Sequence, residues 1–488
     1  IPSSLSMGLT ALITSDMGSI PLFWVVPLGL YLLTFVIAFA AKRPSDHQIL
    51  ARVHLAAVVL QLLVFTMNNG VLVPSWIYVV LSLTVFVVTA LLCHGRLADA
   101  RPAAAALTEF YLWLAVGGAL GGVFNAFLAP LMFTYPVEFV LVLCASVMVT
   151  HQTRTTGFFY RFRYYLAVLV LCAFGARVLV MPPLWTILAM LTVFSGLLLL
   201  CKFPRLLSIV GVIIALFLPT TLAVRERVTL ARNFFGVAMV IDRRNAEGDT
   251  WRILGHGSTI HGIQRMTPFP DPTPVSYFES VGNLFAARPF ADVGVIGLGA
   301  GIVICFDKPG RRFTAYEIDP LIKKLAMEYF TYIKDCGAPR WRIGDGRIEL
   351  HRDGDARYDM IMVDAFSSGS IPSHLLTREA LDVYIARLKP EGIILFNINN
   401  RYYDFSEPLA AMARDAGWQS WRMVTDADDL LHGKSASNWV LFAPGVQDMD
   451  YLKPLGWHKM PVTNFPVWHD DHANILAAMK LFSNAKTH

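Results

Sequence analysis

Three glycines that follow a short apolar run are the first residues of this chain whose spacing suggests chemistry. They are Gly297, Gly299 and Gly301, directly after the apolar run Val293–Ile296. Glycine lets the backbone turn tightly and approach a ligand closely, and a helix that starts after such a turn offers N–H groups that are not bonded within the helix. The pattern predicts a nucleoside-binding loop.

Three acidic residues follow at the places where successive strands would end. Glu317 lies about twenty residues after the loop, where a carboxylate usually accepts hydrogen bonds from two ribose hydroxyls. Asp345 lies in GDGR and Asp364 lies in MIMVDAF. A lone glycine motif is weak evidence, whereas the glycine loop followed in order by these three acids strongly favours a nucleoside site.

The elements that must position these residues are the strands of a parallel sheet. VGVI, YEIDP, GDGR and MIMVDAF, in this order, indicate one half of a Rossmann-like sheet, in which the strands end at one edge. Residues 233–242 and 251–264 precede it and read as alternating strands broken by Gly and Asn turns. We expect this small β-rich stretch to cap the nucleoside site.

The composition of the chain indicates one part that is surrounded by lipid and another that is surrounded by water. Hydrophobic residues make up 55% of the 488 residues and charged residues 16%, and the mean hydropathy is +0.50, which is typical of a membrane protein. Residues 1–223 are almost unbroken apolar runs. We therefore predict a multi-span helical membrane domain over 1–223, the small β-rich cap over 224–285 and the Rossmann-like, methyltransferase-type catalytic domain over 286–488.

About eight runs approach the length needed to cross roughly 30 Å of hydrocarbon. They are 21–41, 53–68, 71–93, 107–133, 135–150, 164–181, 183–201 and 206–223. Basic residues concentrate in alternate connections, which the positive-inside rule assigns to the cytoplasm. An even count would place the catalytic domain outside, which conflicts with a nucleoside made in the cytosol. We expect one span to be miscounted or re-entrant and the catalytic domain to be cytoplasmic.

Charge and cysteine usage exclude several classes of protein. The formal net charge of +5 is scattered, without the stripe of Lys, Arg and aromatic residues that indicates nucleic-acid binding. The six cysteines have neither CxxC nor His-rich ligand spacing, so neither a disulfide framework nor a metal site is expected.

The motifs together resemble the spermidine synthase-like aminopropyltransferases, and specifically their membrane-fused bacterial type. The resemblance covers nearly the whole chain. In the apolar part it rests on PLFWVVPLGLYLLTFVIAF and LTEFYLWLAVGGALGG, and in the catalytic part on RNFFGV, HGIQ, GLGAG, EIDP, GDGR, DAFSS and IPSHLLTREAL. It implies an integral protein of the bacterial inner membrane. Members of this type usually have further spans upstream, and since this chain starts with Ile1, we expect it to be the later portion of a longer protein.

The resemblance also implies a role for each candidate residue in binding S-adenosylmethionine or its decarboxylated form. The three glycines would line the nucleoside and its tail, Glu317 would bind the ribose, and Asp345 with Gly346 would meet the adenine amino group. Gln264 would contact the thioether tail. Asp364 would position and deprotonate an attacking amine.

Three further residues are candidate substrate contacts, namely Tyr277, Ser367 and Tyr384. A tyrosine beside a cleft packs in the core at least as often as it binds substrate. Ser373 is expected to cap a helix, and the preceding AFSSGSIP to form a loop over the cleft.

Departures from the family pattern put its usual acceptor in doubt. Ser367 stands where soluble members carry a second acid, Gly369 where membrane-fused members often carry an Asp, and Phe278 where a histidine is usual. A diamine dication would find fewer carboxylates here. The same loss relaxes the exclusion of the carboxylate of intact S-adenosylmethionine.

Several functions remain open at this point. The first is a membrane-bound transferase of the aminopropyl type that releases methylthioadenosine, with a small molecule, such as an amine, as its acceptor. The second is intramolecular cleavage of S-adenosylmethionine on the same scaffold. A methyltransferase and a nucleoside sensor or transporter are the others. The sequence allows a homo-oligomer without requiring one.

Overall fold

A computed structural model provides the architecture of the chain. It describes residues 1–17, 25–40, 47–67, 75–151, 158–176, 183–223, 227–256, 259–306, 310–365, 371–400, 403–426 and 429–480. The chain divides into two compact units, Ile1–Val237 and Ala238–His488. The predicted class, an apolar helical part followed by a Rossmann-like domain, is confirmed; the two boundaries drawn between the three predicted domains remain predictions.

The first unit consists of helices and one terminal strand. The helices are α1 (Pro2–Met17), α2 (Val25–Phe39), α3 (His47–Met67), α4 (Ser75–Asp99), α5 (Leu107–Val123), α6 (Ala129–Met132), α7 (Glu138–Thr150), α8 (Phe158–Ala176), α9 (Pro183–Leu200) and α10 (Pro204–Ala223), and the strand is β1 (Arg227–Asn233). Each predicted apolar run contains a helix. The sequence did not predict α1, because Ser, Thr, Gly and Asp interrupt its apolar pattern.

Three helical segments of the described residues are long and apolar enough to cross a membrane. They are Gln48–Thr66, Ile77–Asp99 and Ala104–Met132, the last of which includes α5, a π-helical turn and α6. The other apolar helical stretches described are 10–17 residues long. The predicted number of about eight spans therefore stays a prediction.

The second unit contains a small antiparallel sheet and a large mixed sheet. The small sheet contains β2 (Gly236–Arg244), β3 (Thr250–His256) and β4 (Thr259–Arg265). The other strands are β5 (Asp292–Ile296), β6 (Arg312–Glu317), β7 (Arg340–Ile343), β8 (Tyr358–Val363), β9 (Leu388–Asn397), β10 (Trp418–Thr425), β11 (Ser437–Pro444) and β12 (His458–Lys459). The helices are α11 (Glu279–Ala287), α12 (Pro320–Tyr329), α13 (Tyr332–Cys336), α14 (Gly346–Arg352), α15 (Arg378–Ala386) and α16 (Ser406–Asp415).

The strand order of the large sheet is β12-β10-β11-β9-β8-β5-β6-β7. Strands β5 to β9 pair with one another in parallel. Strands β11, β10 and β12 extend the sheet beyond β9 through antiparallel pairs. The chain proceeds outward from β5 through β6 to β7 and then returns to β8, on the other side of β5. The gap between the ends of β5 and β8 is a topological switch point, where sheets of this kind bind their ligands.

Two local expectations are corrected by the structure. The helix expected directly after the glycine loop is a five-residue 3₁₀ turn, Ile302–Phe306, in which the β-branched run Ile302–Ile304 disfavours an α-helix. The helix expected to begin at Ser373 is α15, which Thr377 caps through the N–H of Ala380. Most of the loop expected over the cleft, residues 366–370, lies outside the described residues.

A disulfide joins Cys305 to Cys336, so the expectation that the cysteines form no disulfide was wrong for this pair. The two residues are 31 positions apart in the sequence. They meet because α13 packs against the 3₁₀ turn after the glycine loop. This proximity depends on tertiary packing, which cysteine spacing alone does not reveal.

Candidate active site

The glycine loop has a backbone that other residues would strain. Gly297 has φ 83° and Gly299 has φ 58°, in the left-handed region that favours glycine. A Cβ atom at Gly297 would lie 2.4 Å from the carbonyl oxygen of Asp364, and one at Gly299 would lie 2.3 Å from that of His261. The loop is therefore enclosed between the end of β8 and strand β4, and glycine is required at both positions.

Gly301 contacts a different part of the unit. A Cβ atom there would lie 3.0 Å from Cγ1 of Ile333 in α13, and the φ of Gly301 is 93°. The N–H of Gly301 donates to the carbonyl of Leu298 and closes the turn. The structure thus shows a packing reason for this glycine, and its contact with a nucleoside remains a prediction.

Glu317 ends β6 and is held against the glycine loop. Its Oε2 accepts the N–H of Leu298 at 3.1 Å, and its Oε1 accepts the N–H of Asp319 at 3.1 Å. Burial raises the pKa of Glu317 although these N–H groups oppose the shift. A carboxylate has about four lone-pair sites, so the fixed side chain can still accept hydrogen bonds from ribose hydroxyls.

Asp345 follows the end of β7 and caps α14. Its Oδ1 accepts the N–H of Ile348 at 3.0 Å, and its Oδ2 lies 2.8 Å from Nε2 of His374. Its neighbour Gly346 is buried, and a Cβ atom there would lie 2.4 Å from Cγ2 of Ile296 in β5. His374 therefore adds a polar side chain to this edge of the site.

Asp364 follows β8 and is the most perturbed acid of the site. Nδ2 of Asn397 donates to its Oδ1 at 2.8 Å, and the hydroxyl of Tyr277 donates to its Oδ2 at 3.2 Å. Burial raises the pKa of Asp364 to about 7, and the charge of Glu317 adds to the rise, while the two hydrogen bonds oppose it. A pKa near neutral suits this carboxyl to accept or donate a proton near neutral pH.

Tyr277 is positioned by the segment before α11. The indole N–H of Trp439 donates to its backbone carbonyl at 3.2 Å, and its ring packs against Phe278 and Trp439. Burial and the carboxylate of Asp364 raise the pKa of Tyr277 well above its ordinary value. The hydroxyl thus keeps its proton and acts as a donor to Asp364.

Three predicted site residues show no such arrangement. The buried Gln264 accepts the N–H of Thr331 at 3.0 Å and donates to its hydroxyl at 2.7 Å, so its contact with a thioether tail remains a prediction. Tyr384 is fully buried and donates to the carbonyl of Leu375 at 3.0 Å, which favours the packing role. Ser367 lies outside the described residues.

One residue that the structure brings to the site was missed, and the backbone contact of another was not foreseen. Asn397 ends β9, and applying the strand-end rule to the apolar run GIILFN would have found it. His261 belongs to HGIQ, but nothing in the sequence indicates that its backbone carbonyl accepts the N–H of Ala300 in the glycine loop at 3.1 Å. Within the described ranges, no cluster of three or more His, Cys, Asp or Glu side chains has the geometry of a metal site.

Comparisons with known proteins find similar sequences over part of the chain. A 130-residue stretch is 34% identical to a polyamine aminopropyltransferase of Vibrio vulnificus, covering 25% of this chain and 43% of that protein. A 149-residue stretch is 30% identical to a probable polyamine aminopropyl transferase of Bifidobacterium longum, covering 29% and 32%. A 215-residue stretch is 28% identical to an N-terminal histidine N-methyltransferase of Emericella nidulans, covering 40% and 38%. The chain spans less than half the length of each relative.

The predicted resemblance to the spermidine synthase-like aminopropyltransferases is thereby confirmed, while the membrane-fused type remains a prediction. No protein-family model matches the chain. Among solved structures, a probable spermidine synthase from Corynebacterium glutamicum is similar with a TM-score of 0.38 and 14% identity, over 48% of this chain and 94% of that one. A spermidine synthase from Thermotoga maritima gives a TM-score of 0.33 and 11% identity, over 49% and 81%.

Proposed function

We propose that the second unit transfers an alkyl group, of the aminopropyl type, from the sulfonium of S-adenosylmethionine or its decarboxylated form to an amine. Methylthioadenosine is the other product. The observation that carries this proposal is Asp364, whose carboxyl lies at the switch point, accepts from Asn397 and Tyr277 and has a pKa of about 7. The two similar polyamine aminopropyltransferases support transfer of the arm, rather than of the methyl group, from the sulfonium.

The reaction forms one bond and breaks one. The amine nitrogen attacks the arm carbon that is bonded to sulfur; a C–N bond forms, the C–S bond breaks, and its electron pair stays on sulfur as a neutral thioether. An aliphatic amine has a pKa of about 10 and is mostly protonated at neutral pH. The nitrogen must lose a proton, and Asp364 in its carboxylate form accepts it.

The neighbours of Asp364 orient this proton transfer. Asn397 and Tyr277 each donate to one of its oxygens, which leaves other lone pairs of the carboxylate for an ammonium in the cleft. A carboxylate held by two donors loses little freedom when the amine arrives. Asn397 and Tyr277 are therefore proposed as positioning residues for the base.

The donor is proposed to lie across the strand ends. Glu317 would accept the ribose hydroxyls, Asp345 and Gly346 would meet the adenine, and the glycine loop would lie against the sulfonium arm. In the described structure Gln264 joins β4 to Thr331, so we assign it the support of this wall as well as the predicted contact with the tail.

The first unit is proposed to anchor the enzyme in a membrane. The three helical segments that are long and apolar enough to span a bilayer support this location. The nucleoside donor is made in the cytosol, so we place the catalytic unit on the cytoplasmic side.

A methyltransferase is the second candidate. The N-terminal histidine N-methyltransferase matches a longer part of this chain than either aminopropyltransferase does. The same base and donor site would serve it, because a nitrogen nucleophile would attack the methyl carbon instead of the arm carbon. The nucleoside product would then be S-adenosylhomocysteine.

Product analysis tests the proposal and separates the candidates. The purified full chain is incubated with S-adenosylmethionine or its decarboxylated form, with and without diamines, and the nucleoside product is identified by mass spectrometry. Amine-dependent methylthioadenosine is the expected result. Methylthioadenosine without any amine indicates intramolecular cleavage, and S-adenosylhomocysteine indicates a methyltransferase; either one overturns the amine transfer.

Replacement of Asp364 tests the base. We expect Asp364→Asn to lower the turnover of the amine-dependent reaction by roughly 10²–10⁴-fold, the usual contribution of a general base. Asp355→Asn makes the same chemical change at an exposed turn and is expected to leave turnover unchanged. Full activity of Asp364→Asn would refute the assignment.

A further inference from the structure

Two histidines of the small sheet lie beside the glycine loop. His256 ends β3 and His261 lies in β4, and their ring centroids are 5.8 Å apart. The Cβ of His261 lies 3.5 Å from the position a Cβ would take at Gly299. His261 is therefore adjacent to Gly299 in the loop.

The imidazole of His261 is buried and neutral. Burial, with a smaller effect of His256, lowers the pKa of His261 to about 3. A neutral imidazole offers one N–H donor and one acceptor nitrogen. Within the part of the chain that the structure describes, Nε2 of His261 has no hydrogen-bond partner. A buried polar atom of this kind is costly unless a ligand supplies the missing partner.

S-adenosylmethionine and its decarboxylated form differ in the charge of the arm that is bonded to sulfur. The intact form carries an ammonium and a carboxylate beyond the sulfonium, whereas the decarboxylated form carries the ammonium alone. Against the glycine loop lie Glu317 at Leu298, Asp364 at Gly297 and His261 at Gly299. Of these three residues, only His261 has no carboxyl group. A neutral N–H donor accommodates a carboxylate, whereas an acid at the same place would repel it.

We propose that the donor is intact S-adenosylmethionine and that His261 is a specificity residue that donates its imidazole N–H to the carboxylate of the donor arm. The proposal rests on the adenosyl site proposed above and adds the identity of the arm. His256 packs against the ring of His261 and limits its orientations.

Binding of two stable nucleosides tests the arm separately from the adenosyl site. S-adenosylhomocysteine carries the complete amino-acid arm, and methylthioadenosine carries a methyl group in its place. Calorimetric titration of the full chain in detergent gives the Kd of each nucleoside. Their ratio reports recognition of the arm, and the Kd of methylthioadenosine reports the adenosyl site.

The variants His261→Asn and His261→Asp form a matched pair that differs mainly in charge. We expect wild-type protein to bind S-adenosylhomocysteine more tightly than methylthioadenosine. His261→Asn should reduce this preference. His261→Asp should weaken the binding of S-adenosylhomocysteine by at least about tenfold more than His261→Asn does, because the new carboxylate repels that of the arm. Both variants should bind methylthioadenosine as wild type does.

Each other outcome has a defined meaning. An equal ratio of the two Kd values in wild type, Asn and Asp proteins overturns the role of His261 and leaves the adenosyl site intact. Loss of methylthioadenosine binding in both variants also overturns it, because His261 then supports the fold of the adenosyl site. If wild-type protein binds neither nucleoside, the proposed function itself fails.

Discussion

The two units of this chain use buried polar residues in different ways. In the first unit such residues form hydrogen bonds with one another inside an apolar environment: Gln61 pairs with Ser82 at 3.1 Å, and Asn125 donates to the hydroxyl of Ser4. In the second unit, Glu317 and Asp364 are held by protein donors at the ends of strands, and Asp364 stays partly exposed.

This difference separates structural from chemical polar groups. A pair whose members satisfy each other joins two helices and has little remaining capacity for a ligand. An acid at a switch point with a raised pKa retains capacity for proton transfer. Burial of a carboxylate alone therefore does not identify a site; what matters is whether its partner neutralises it.

The largest expected effect concerns the buried ion pair of the first unit. The carboxylate of Glu138 accepts from Arg232 at 2.7 and 3.1 Å, and the side chains are 1% and 8% exposed. Glu138→Ala leaves a buried, unpaired guanidinium, so we expect a loss of about 3–5 kcal/mol, measured as a lower thermal midpoint in detergent. Glu109→Ala, in the first turn of α5 but exposed, should cost far less. Equal losses of stability in Glu138→Ala and Glu109→Ala would contradict a structural role for the buried ion pair of the first unit.

The next effect concerns the disulfide of the second unit. Breaking a cross-link between residues 31 positions apart should cost about 3–4 kcal/mol of stability in the loop-entropy description. We expect Cys305→Ser to lower the thermal midpoint of this unit and dithiothreitol to have no further effect on the variant. Cys172→Ser, which alters an exposed free cysteine, serves as the control. An unchanged midpoint in Cys305→Ser would contradict the expectation.

The sequence predicted the parts of the site that follow from local pattern. Apolar runs that end in Gly297, Glu317, Asp345 and Asp364 identified the strand ends, because strand and turn residues are contiguous in the chain. The partners of Asp364 could not be obtained in this way. Tyr277 and Asn397 reach it from segments 87 and 33 residues away, and such long-range contacts are set by packing.

The same distinction between local pattern and long-range packing explains the other differences between the predictions and the structure. The fold class was accessible because hydropathy and the βαβ order are properties of whole segments. The pairing of Cys305 with Cys336 and the burial of Tyr384 depend on how α13 and α15 pack. A tyrosine beside a predicted cleft looks the same in sequence whether it faces a ligand or the core.

A smaller effect concerns the second unit, where the pKa of Asp364 should set the pH dependence of turnover. The carboxylate form of Asp364 accepts the proton, so we expect turnover to rise with pH through about 7. Asn397 stabilises this form, and Asn397→Ala should move the rise to higher pH. A hydrogen bond to a charged group contributes roughly 1.5–3 kcal/mol, which corresponds to a shift of about one to two pH units.

The pH dependence of turnover and stability provides the check. Asn399→Ala makes the same change at an exposed position and should leave the profile in place. Because the folded-state pKa of Asp364 is raised, its contribution to stability is present below pH 4 and is lost as the pH rises through 7. Asp364→Asn should therefore stabilise the protein at pH 8 more than at pH 5, and an equal effect at both would contradict the raised pKa.

The smallest expected effect tests whether the polar pairs of the first unit are only structural. Gln61 and Ser82 are fully buried and hydrogen-bond each other, and interhelical hydrogen bonds in membranes average about 0.6 kcal/mol. The double variant Gln61→Leu and Ser82→Ala removes both partners, so no polar group remains unpaired, and the thermal midpoint should change little. The single variant Gln61→Leu leaves Ser82 without this partner and should cost more than the double variant. Turnover should match wild type in both variants; a selective loss of turnover at an unchanged midpoint would show that this pair belongs to a functional path and that the division between the two units is not as drawn.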